Sequence, residues 1–194
     1  MRIITGRAKG IRLDTLAGEA TRPTAERVKE AVFSMLQFDL GGRRVLDLFA
    51  GTGQLGIEAL SRGAESAVFV DSSNKAVALI KENISRCGFE EFSTVLRSDW
   101  KDALRRQREK FDIIFLDPPY DTQLLKNSLK TVAEIDILAQ NGIIVCESRA
   151  DTELPELGEP YERKGEYRYG AIKLTLYTKK GKVFDEDCDI SGQL

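Results

Sequence analysis

The sequence predicts an α/β fold in which helices cover both faces of a mostly parallel sheet of seven strands. Predicted strands and helices alternate along most of the chain, and the strands are nearly continuous apolar runs, as expected for strands buried on both faces. The last predicted segment, residues 162–178, alternates between apolar and polar residues and predicts an antiparallel hairpin at the C-terminal end. A chain of 194 residues is long enough for one such domain with a substantial core.

The N-terminal part is predicted to add a small hairpin and a helix before the sheet. Residues 2–5 and 11–13 have the pattern of short strands on either side of a turn. Thr24 is placed to cap a helix whose apolar residues recur at helical spacing, and Gly41 and Gly42 are expected to end it.

The alternating part of the chain supplies the rest of the sheet and the helices that cover it. Apolar runs predict strands at residues 44–49, 67–71, 93–97, 111–117 and 143–147. Helical spacing predicts intervening helices at residues 53–62, 73–86, 100–109 and 122–139. We expect one domain over residues 1–182, divided into the N-terminal hairpin and helix (1–42) and the core (43–182), followed by an acidic tail (183–194).

The composition excludes several kinds of active site. The chain has no histidine, which removes Ser-His-Asp and Cys-His arrangements and every His-based zinc site. The cysteines are far apart and follow neither a CxxC nor a disulfide pattern, so no metal site is predicted. No apolar run approaches the length of a membrane span, and the first residues lack a signal-peptide pattern. We therefore expect a cytoplasmic monomer that has no membrane partner.

A glycine-rich turn, DLFAGTG at residues 47–53, follows the first predicted strand and opens a helix. Glycines allow the backbone to turn sharply and to approach a ligand closely. The turn also begins the GxGxxG pattern of dinucleotide sites, but an acid at position 47 can reach a cationic amino-acid group and would repel a pyrophosphate. S-adenosylmethionine is therefore predicted rather than NAD, bound by Asp47, Phe49, Ala50, Gly51, Thr52 and Gly53.

Acidic residues also follow the second and third predicted strands. Asp71 ends the second strand, where a carboxylate accepts hydrogen bonds from both ribose hydroxyls of an adenosine cofactor. Asp71 and Ser72 could instead cap the next helix, and the two roles are compatible. After the third strand, Asp99 is placed to accept a hydrogen bond from the adenine amino group, and Trp100 to flank the ring. The alternative for this pair is a helix cap followed by a core aromatic residue.

The tetrapeptide Asp117-Pro118-Pro119-Tyr120 follows the fourth predicted strand. Its two prolines fix the backbone and remove two N–H donors, so that carbonyl and carboxylate oxygens remain as acceptors. A planar amino group donates two hydrogens in one plane, and the Asp117 side chain and the Pro118 carbonyl can accept one each. Tyr120 offers a face on which a flipped-out base can stack. The tetrapeptide therefore predicts a site that positions an amino nitrogen for methylation without a histidine base.

Taken in order, these segments resemble the class I S-adenosylmethionine-dependent methyltransferases, and the tetrapeptide resembles the branch that methylates amino groups. From about Arg2 to Tyr177, the chain looks like the bacterial 16S rRNA (guanine(966)-N2)-methyltransferase family. The segments that carry this resemblance are TRPTAERVKE at 21–30, LDLFAGTG at 46–53, GIEALSRGA at 56–64 and Tyr169-Gly170. Gln54 departs from the family, which has a small residue at this position.

The resemblance implies a Rossmann-like class I fold and methylation of a guanine N2 amino group in 16S ribosomal RNA, within a small-subunit particle. Gly51, Gly53, Asp71 and Asp99 would then bind the cofactor, and residues 117–120 would hold the guanine. Two alternatives stay open. One is another amino methyltransferase with the same tetrapeptide, acting on DNA adenine N6 or protein glutamine N5. The other is an NAD-binding oxidoreductase, which is disfavoured because no histidine is available for acid-base catalysis.

The charge distribution indicates where RNA would bind. The net charge is −2, but residues 1–13 carry basic side chains and no acid, whereas the last ten residues carry acids and no base. Contacts to phosphate need clustered lysine and arginine side chains. The predicted RNA surface comprises Arg7, Lys9, Arg12, Arg22 and Arg27.

Overall fold

A computed structural model describes residues 1–15, 23–36, 40–119 and 122–180, and the predicted α/β sheet is confirmed there. The helices are α1 (Pro23–Met35), α2 (Gln54–Ser61), α3 (Asn74–Cys87), α4 (Trp100–Arg106) and α5 (Thr122–Glu134). The strands are β1 (Arg44–Asp47), β2 (Ser66–Asp71), β3 (Ser93–Arg97), β4 (Phe111–Leu116), β5 (Leu138–Arg149), β6 (Tyr161–Tyr169) and β7 (Ile172–Lys179). The seven strands form one sheet in the order β3-β2-β1-β4-β5-β7-β6. Strands β1 to β5 are parallel to one another, whereas β7 runs antiparallel to both β5 and β6.

Each central strand contributes to two hydrophobic cores, one on each face of the sheet, because successive side chains point to opposite faces. Val45 and Phe115 pack on the face that α1, α2 and α3 cover. Leu46 and Ile114, their neighbours in sequence, pack on the face that α4 and α5 cover. This double burial explains why the predicted strands are almost continuously apolar.

The N-terminal arm, defined here as residues 1–14, packs on the face covered by α1 to α3. Its predicted hairpin is present in reduced form, as a single antiparallel bridge between Arg2 and Arg12. Ile3 and Leu13 are almost fully buried in the core on this face. The arm is therefore part of the folded domain.

The largest difference from the predicted elements lies between α5 and β5. The predicted helix at 122–139 ends at Glu134, and β5 begins at Leu138 instead of residue 143. Asp136 adopts a positive φ of 54°, which ends the helical path, and Phe111 N–H donates to the Ile137 carbonyl at 2.8 Å. The sequence carries no glycine or proline at this turn, so apolar residues continued the helical pattern past the true end.

Smaller differences concern helix ends. Helix α4 ends at Arg106 rather than at residue 109, and α1 begins at Pro23, one residue before the predicted cap. The predicted acidic tail at 183–194 lies outside the described residues. None of the described helices is long and apolar enough to cross a membrane.

The strand order creates a crevice at the carboxyl ends of the parallel strands. From β1 the chain proceeds outward to β2 and β3, then returns to place β4 on the other side of β1. Ligands of open α/β sheets bind outside the strand ends at such a switch point. The loops after β1, β2, β3 and β4 therefore border the expected ligand site.

Candidate active site

A pocket of about 710 Å³ opens at this switch point. It is lined by nearly all of the residues predicted to bind cofactor or substrate: Phe49, Ala50, Gly51, Thr52, Asp71, Ser72, Asp99, Trp100, Asp117, Pro118 and Pro119. Asp47 and Gly53 do not line it, and Tyr120 lies outside the described residues. Four loops that are distant in sequence thus meet around one cavity.

The turn after β1 depends on glycine at two positions. Gly51 and Gly53 both have positive φ angles, of 54° and 77°, which L side chains rarely adopt. Gly53 N–H donates to the Ala50 carbonyl at 2.7 Å and closes the turn, and its left-handed conformation starts α2. The sharp turn leaves the backbone of residues 49–52 as one wall of the pocket.

Asp71 holds two of the loops together. Its carboxylate accepts a hydrogen bond from Gly51 N–H at 3.0 Å and another from Ser73 N–H at 2.8 Å. The cap of α3 is Ser73, whose hydroxyl accepts from Ala76 N–H, so Asp71 is not the capping residue. Each carboxylate oxygen has a second lone pair, and Asp71 lines the pocket, so the side chain can also accept from ribose hydroxyls.

Asp99 and Trp100 have the structural roles considered for them and also lie at the pocket. Asp99 caps α4 by accepting from Lys101 N–H at 2.8 Å, and Trp100 packs in the core that α4 and α5 cover. Both residues also line the pocket, where Asp99 is exposed and Trp100 is 8% exposed. The capping bond orients the Asp99 carboxylate at the rim of the pocket.

Asp47 lies behind the pocket wall. It is 1% exposed, and its carboxylate accepts from Gly56 N–H at 3.1 Å. Burial raises the pKa of Asp47 to about 7; the Gly56 bond opposes this rise, and the negative charges of Asp117 and Asp71 add to it. In this position Asp47 holds the first turn of α2 and does not line the pocket.

The electrostatic character of the pocket is acidic. Its charged lining side chains are Lys29 and four carboxylates: Asp71, Asp99, Asp117 and Glu147. The Lys29 ammonium is already engaged, since it donates to the Arg2 carbonyl at 2.6 Å and lies 3.6 Å from the Glu58 carboxylate. Such a pocket favours a cation, such as the sulfonium of S-adenosylmethionine, and disfavours the pyrophosphate of NAD. Within the described residues, no group of three or more side chains is arranged to hold a metal ion.

Glu147 is a pocket residue that was not predicted from the sequence. It lies near the end of β5, beside Asp117 at the end of β4. Burial raises the pKa of Glu147 to about 8, and the negative charge of Asp117 contributes to the rise. An acid within the apolar run IIVCES was the available signal.

A buried charged cluster that joins the arm to the helices was also missed. The Glu58 carboxylate is fully buried and accepts from Ile4 N–H, Thr5 N–H and Arg62 Nε, at 2.8, 3.0 and 2.9 Å. Lys29 is 2% exposed, and burial lowers its pKa, while the charge of Glu58 opposes that change. Charged residues at apolar positions of α1 and α2 were the sequence signal for this cluster.

A second connection joins the arm to the glycine turn through Asn83 of α3. The fully buried Asn83 amide donates to the Asp14 carbonyl at 3.1 Å and to the Thr52 carbonyl at 3.0 Å. Its oxygen accepts from Asp14 N–H at 2.9 Å. The end of the arm and the wall of the pocket are therefore held by one side chain.

Four of the five predicted RNA-binding residues lie in the described part of the chain, on the arm and on α1. Arg7 lies over the rings of Phe89 and Phe92, with 5.0 and 5.1 Å to their centroids. Lys9, Arg12 and Arg27 are exposed on the arm and on α1, and Arg22 lies outside the described residues. The arm packs on the face of the sheet that α1 to α3 cover, and Met1 of the arm and Lys29 and Val32 of α1 line the pocket.

The sheet order and the pocket at the strand ends define a Rossmann-like class I methyltransferase. A family model described as "Conserved hypothetical protein 95" matches residues 1–178, and the chain belongs to this family. The family resemblance seen in the motifs is thereby confirmed, as is S-adenosylmethionine as the cofactor of this class.

Relatives and solved structures agree with this assignment. The chain is 41% identical over 184 residues to "Putative rRNA methyltransferase YlbH" of Bacillus subtilis, covering 93% of this chain and 100% of that protein. It is 34% identical to "Ribosomal RNA small subunit methyltransferase D" of Haemophilus influenzae, covering 79% of this chain and 81% of that protein. The solved structure described as "Putative methyltransferase yhhF from Escherichia coli" superposes with a TM-score of 0.84 at 27% identity, covering 93% of this chain and 98% of that one.

Proposed function

We propose that this chain transfers a methyl group from S-adenosylmethionine to the exocyclic N2 amino group of a guanine in 16S ribosomal RNA. The observation that carries the proposal is the meeting of two sites in one acidic pocket. The Gly51 turn and Asp71 form one side of the pocket, and Asp117, Pro118 and Pro119 form another. A donor of a cationic methyl group and an amino nitrogen could be held there side by side.

The cofactor side of the pocket fits an adenosine with an attached sulfonium. Asp71 is available to the ribose, Asp99 and Trp100 border the position expected for the adenine, and the acidic lining matches the positive charge. When bound, S-adenosylmethionine supplies an electrophilic methyl group.

The substrate side supplies acceptors and no histidine base. Asp117 and the Pro118 carbonyl are proposed to accept the two hydrogens of the amino group, which fixes the direction of the nitrogen lone pair. Pro118 is buried and Pro119 is exposed, so the segment passes from the core to the pocket rim within two residues. A rigid segment holds the nucleophilic nitrogen in place with no further loss of conformational entropy. We expect this positioning to contribute most of the acceleration of methyl transfer.

Ribosomal RNA as the substrate is supported by the relatives and by the arm. Relatives that match most of the chain are named as ribosomal RNA methyltransferases, several of them for the small subunit. The exposed cations Lys9, Arg12 and Arg27 lie on the arm and on α1, which includes the pocket-lining Lys29 and Val32. The choice of guanine N2 rests on the motif resemblance described above, and we infer a small-subunit particle as the form of the RNA and a cytoplasmic location.

The test is direct mapping of the product. Small-subunit particles from cells without the protein would be incubated with purified protein and S-adenosylmethionine, and the nucleosides of the 16S RNA identified by mass spectrometry. The expected product is N2-methylguanosine at a single position, absent when Asp117→Ala protein is used. Formation of N6-methyladenosine would overturn the guanine assignment. Methylation of a protein glutamine, with unmodified RNA, would overturn the RNA assignment.

A further inference from the structure

Glu147 occupies a defined position relative to Asp117. Strands β4 and β5 are parallel, and their last registered pair is Leu116 with Cys146. Extending this register by one residue pairs Asp117 with Glu147, which places their side chains on the same face of the sheet, about 4.8 Å apart at the backbone. Val145, two residues earlier on β5, confirms the face, because it packs in the core that α1 to α3 cover. The two carboxylates thus stand side by side at the pocket.

No basic group of the pocket forms an ion pair with the Glu147 carboxylate among the described residues. The charge of Asp117, directly after β4, acts on Glu147, and Asp71 and Asp99 at the ends of β2 and β3 also line the pocket. The cationic groups of the lining are Lys29, which is engaged with Glu58 and the arm backbone, and the amino terminus at Met1. No ion pair among the described residues includes Glu147. Burial and the Asp117 charge raise its pKa to about 8, so Glu147 binds a proton more strongly than an ordinary carboxylate.

We propose, on the basis of the proposed function, that Glu147 is the final proton acceptor of the methyl transfer. The N2 lone pair forms the new bond to the methyl carbon while the carbon–sulfur bond breaks, and the electrons of that bond remain on sulfur. In the same step, Asp117 accepts one of the two N2 protons and passes it to Glu147, which relieves the positive charge that develops on the nitrogen. Asp117 returns to its ionised form, Glu147 becomes a neutral carboxyl group, and the methylated guanine is neutral.

The proposal sets the sign of the pH dependence. A proton acceptor must be ionised before the reaction, so the transfer rate rises with pH through the pKa of Glu147. That pKa is about 8, and a bound sulfonium would lower it because a positive charge favours the carboxylate. A carboxyl group that acted instead as a hydrogen-bond donor would make the rate fall over the same range.

The experiment compares wild type, Glu147→Gln, Glu147→Asp and the control Glu153→Gln, which alters an exposed acid beyond the end of β5. Single-turnover methyl transfer to small-subunit particles is measured from about pH 6 to about pH 9.5, a range that brackets the raised pKa. Glu147→Gln is expected to lower the rate about 10- to 100-fold at the upper end and to remove the rising limb. Glu147→Asp should retain the rising limb at a reduced rate, and Glu153→Gln should match wild type.

Binding of S-adenosylhomocysteine, measured by calorimetry, separates chemistry from pocket architecture. This ligand carries a neutral sulfur, so Glu147→Gln should bind it like wild type. Loss of this binding would overturn the role as acceptor and assign Glu147 to the architecture of the pocket. An unchanged rate and pH profile in Glu147→Gln, or a wild-type rate that falls with pH, would also overturn it. The profile is measured on whichever nucleoside wild type methylates, so an unexpected base refutes the guanine assignment while the Glu147 result still stands.

Discussion

Replacement of Asp71 by asparagine is the most direct perturbation of the cofactor side of the pocket. The aspartate carboxylate accepts from the backbone N–H groups of Gly51 and Ser73, at 3.0 and 2.8 Å, and lines the pocket. Asp71→Asn keeps the size of the side chain but exchanges one acceptor oxygen for an NH2 group that can only donate. One of the two backbone donors then loses its partner, and one ribose hydroxyl faces a donor in place of a charged acceptor.

The magnitude follows from the contacts that change. A hydrogen bond to a charged group contributes about 1.5–3 kcal/mol, and at least one such bond to the ribose is lost. We therefore expect affinity for S-adenosylhomocysteine to fall about 10- to 150-fold, since each 1.4 kcal/mol is about a factor of ten. Without ligand, the free energy of unfolding should fall by only about 1 kcal/mol, because the pocket is open to water.

Calorimetry with S-adenosylhomocysteine and urea unfolding without ligand measure these two quantities. Asp151→Asn is a matched control, because Asp151 is an exposed aspartate whose carboxylate lies 3.4 Å from Arg149 Nε. This control should leave ligand affinity unchanged. Wild-type affinity in Asp71→Asn, together with lowered stability, would refute the reasoning and restrict Asp71 to joining the two loops.

Three further predictions concern the substrate side, the packing of α2 against β2 and the arm. Asp117→Ala should reduce single-turnover methyl transfer far more than affinity for S-adenosylhomocysteine, and equal losses in the two assays would argue against the clamp. Gly56→Ala should destabilise the protein by about 1–3 kcal/mol in thermal unfolding, because a Cβ there would lie 2.3 Å from Cε1 of Phe69. The control Gly158→Ala, where a Cβ meets nothing within 4 Å, should have little effect. Replacing Arg7, Lys9 and Arg12 together with alanine should weaken RNA binding and make it less dependent on salt, while cofactor affinity stays unchanged. An unaltered salt dependence would show that these side chains do not contact phosphate.

The mostly parallel sheet and the position of the pocket could be predicted because local signals and topology agree. The turn at Gly51, the acid at Asp71 and the prolines after Asp117 each follow an apolar run, and parallel strands bring such positions to one edge of the sheet. Local patterns suffice for this prediction because the preference for right-handed crossovers between parallel strands leaves few possible arrangements of the sheet.

The burial of individual side chains and the contacts between residues that are distant in sequence could not be predicted in the same way. Asp47 has the sequence position of a ligand-contacting acid, yet its carboxylate turns inward to Gly56 N–H. The proximity of Glu147 to Asp117 depends on the register of two strands whose positions are 30 residues apart in the chain. Likewise, Lys29 and Glu58 meet only after α1 and α2 pack on the same face. Each of these relations is a product of tertiary packing, which a local pattern does not encode.

The three hydrogen bonds of Asn83 make this position unusually intolerant of substitution. An aspartate would set a carboxylate against the carbonyls of Asp14 and Thr52. A leucine would remove all three bonds and leave the buried Thr52 carbonyl without this partner, at a cost of about 1–3 kcal/mol. A glutamine is one methylene too long for a site with no exposed surface. The neighbouring Glu82 is exposed and under no such constraint. Substitutions should therefore be tolerated on the outer surface of α3 but not at position 83. A replacement there would require the arm and the glycine turn, which Asn83 joins, to change at the same time.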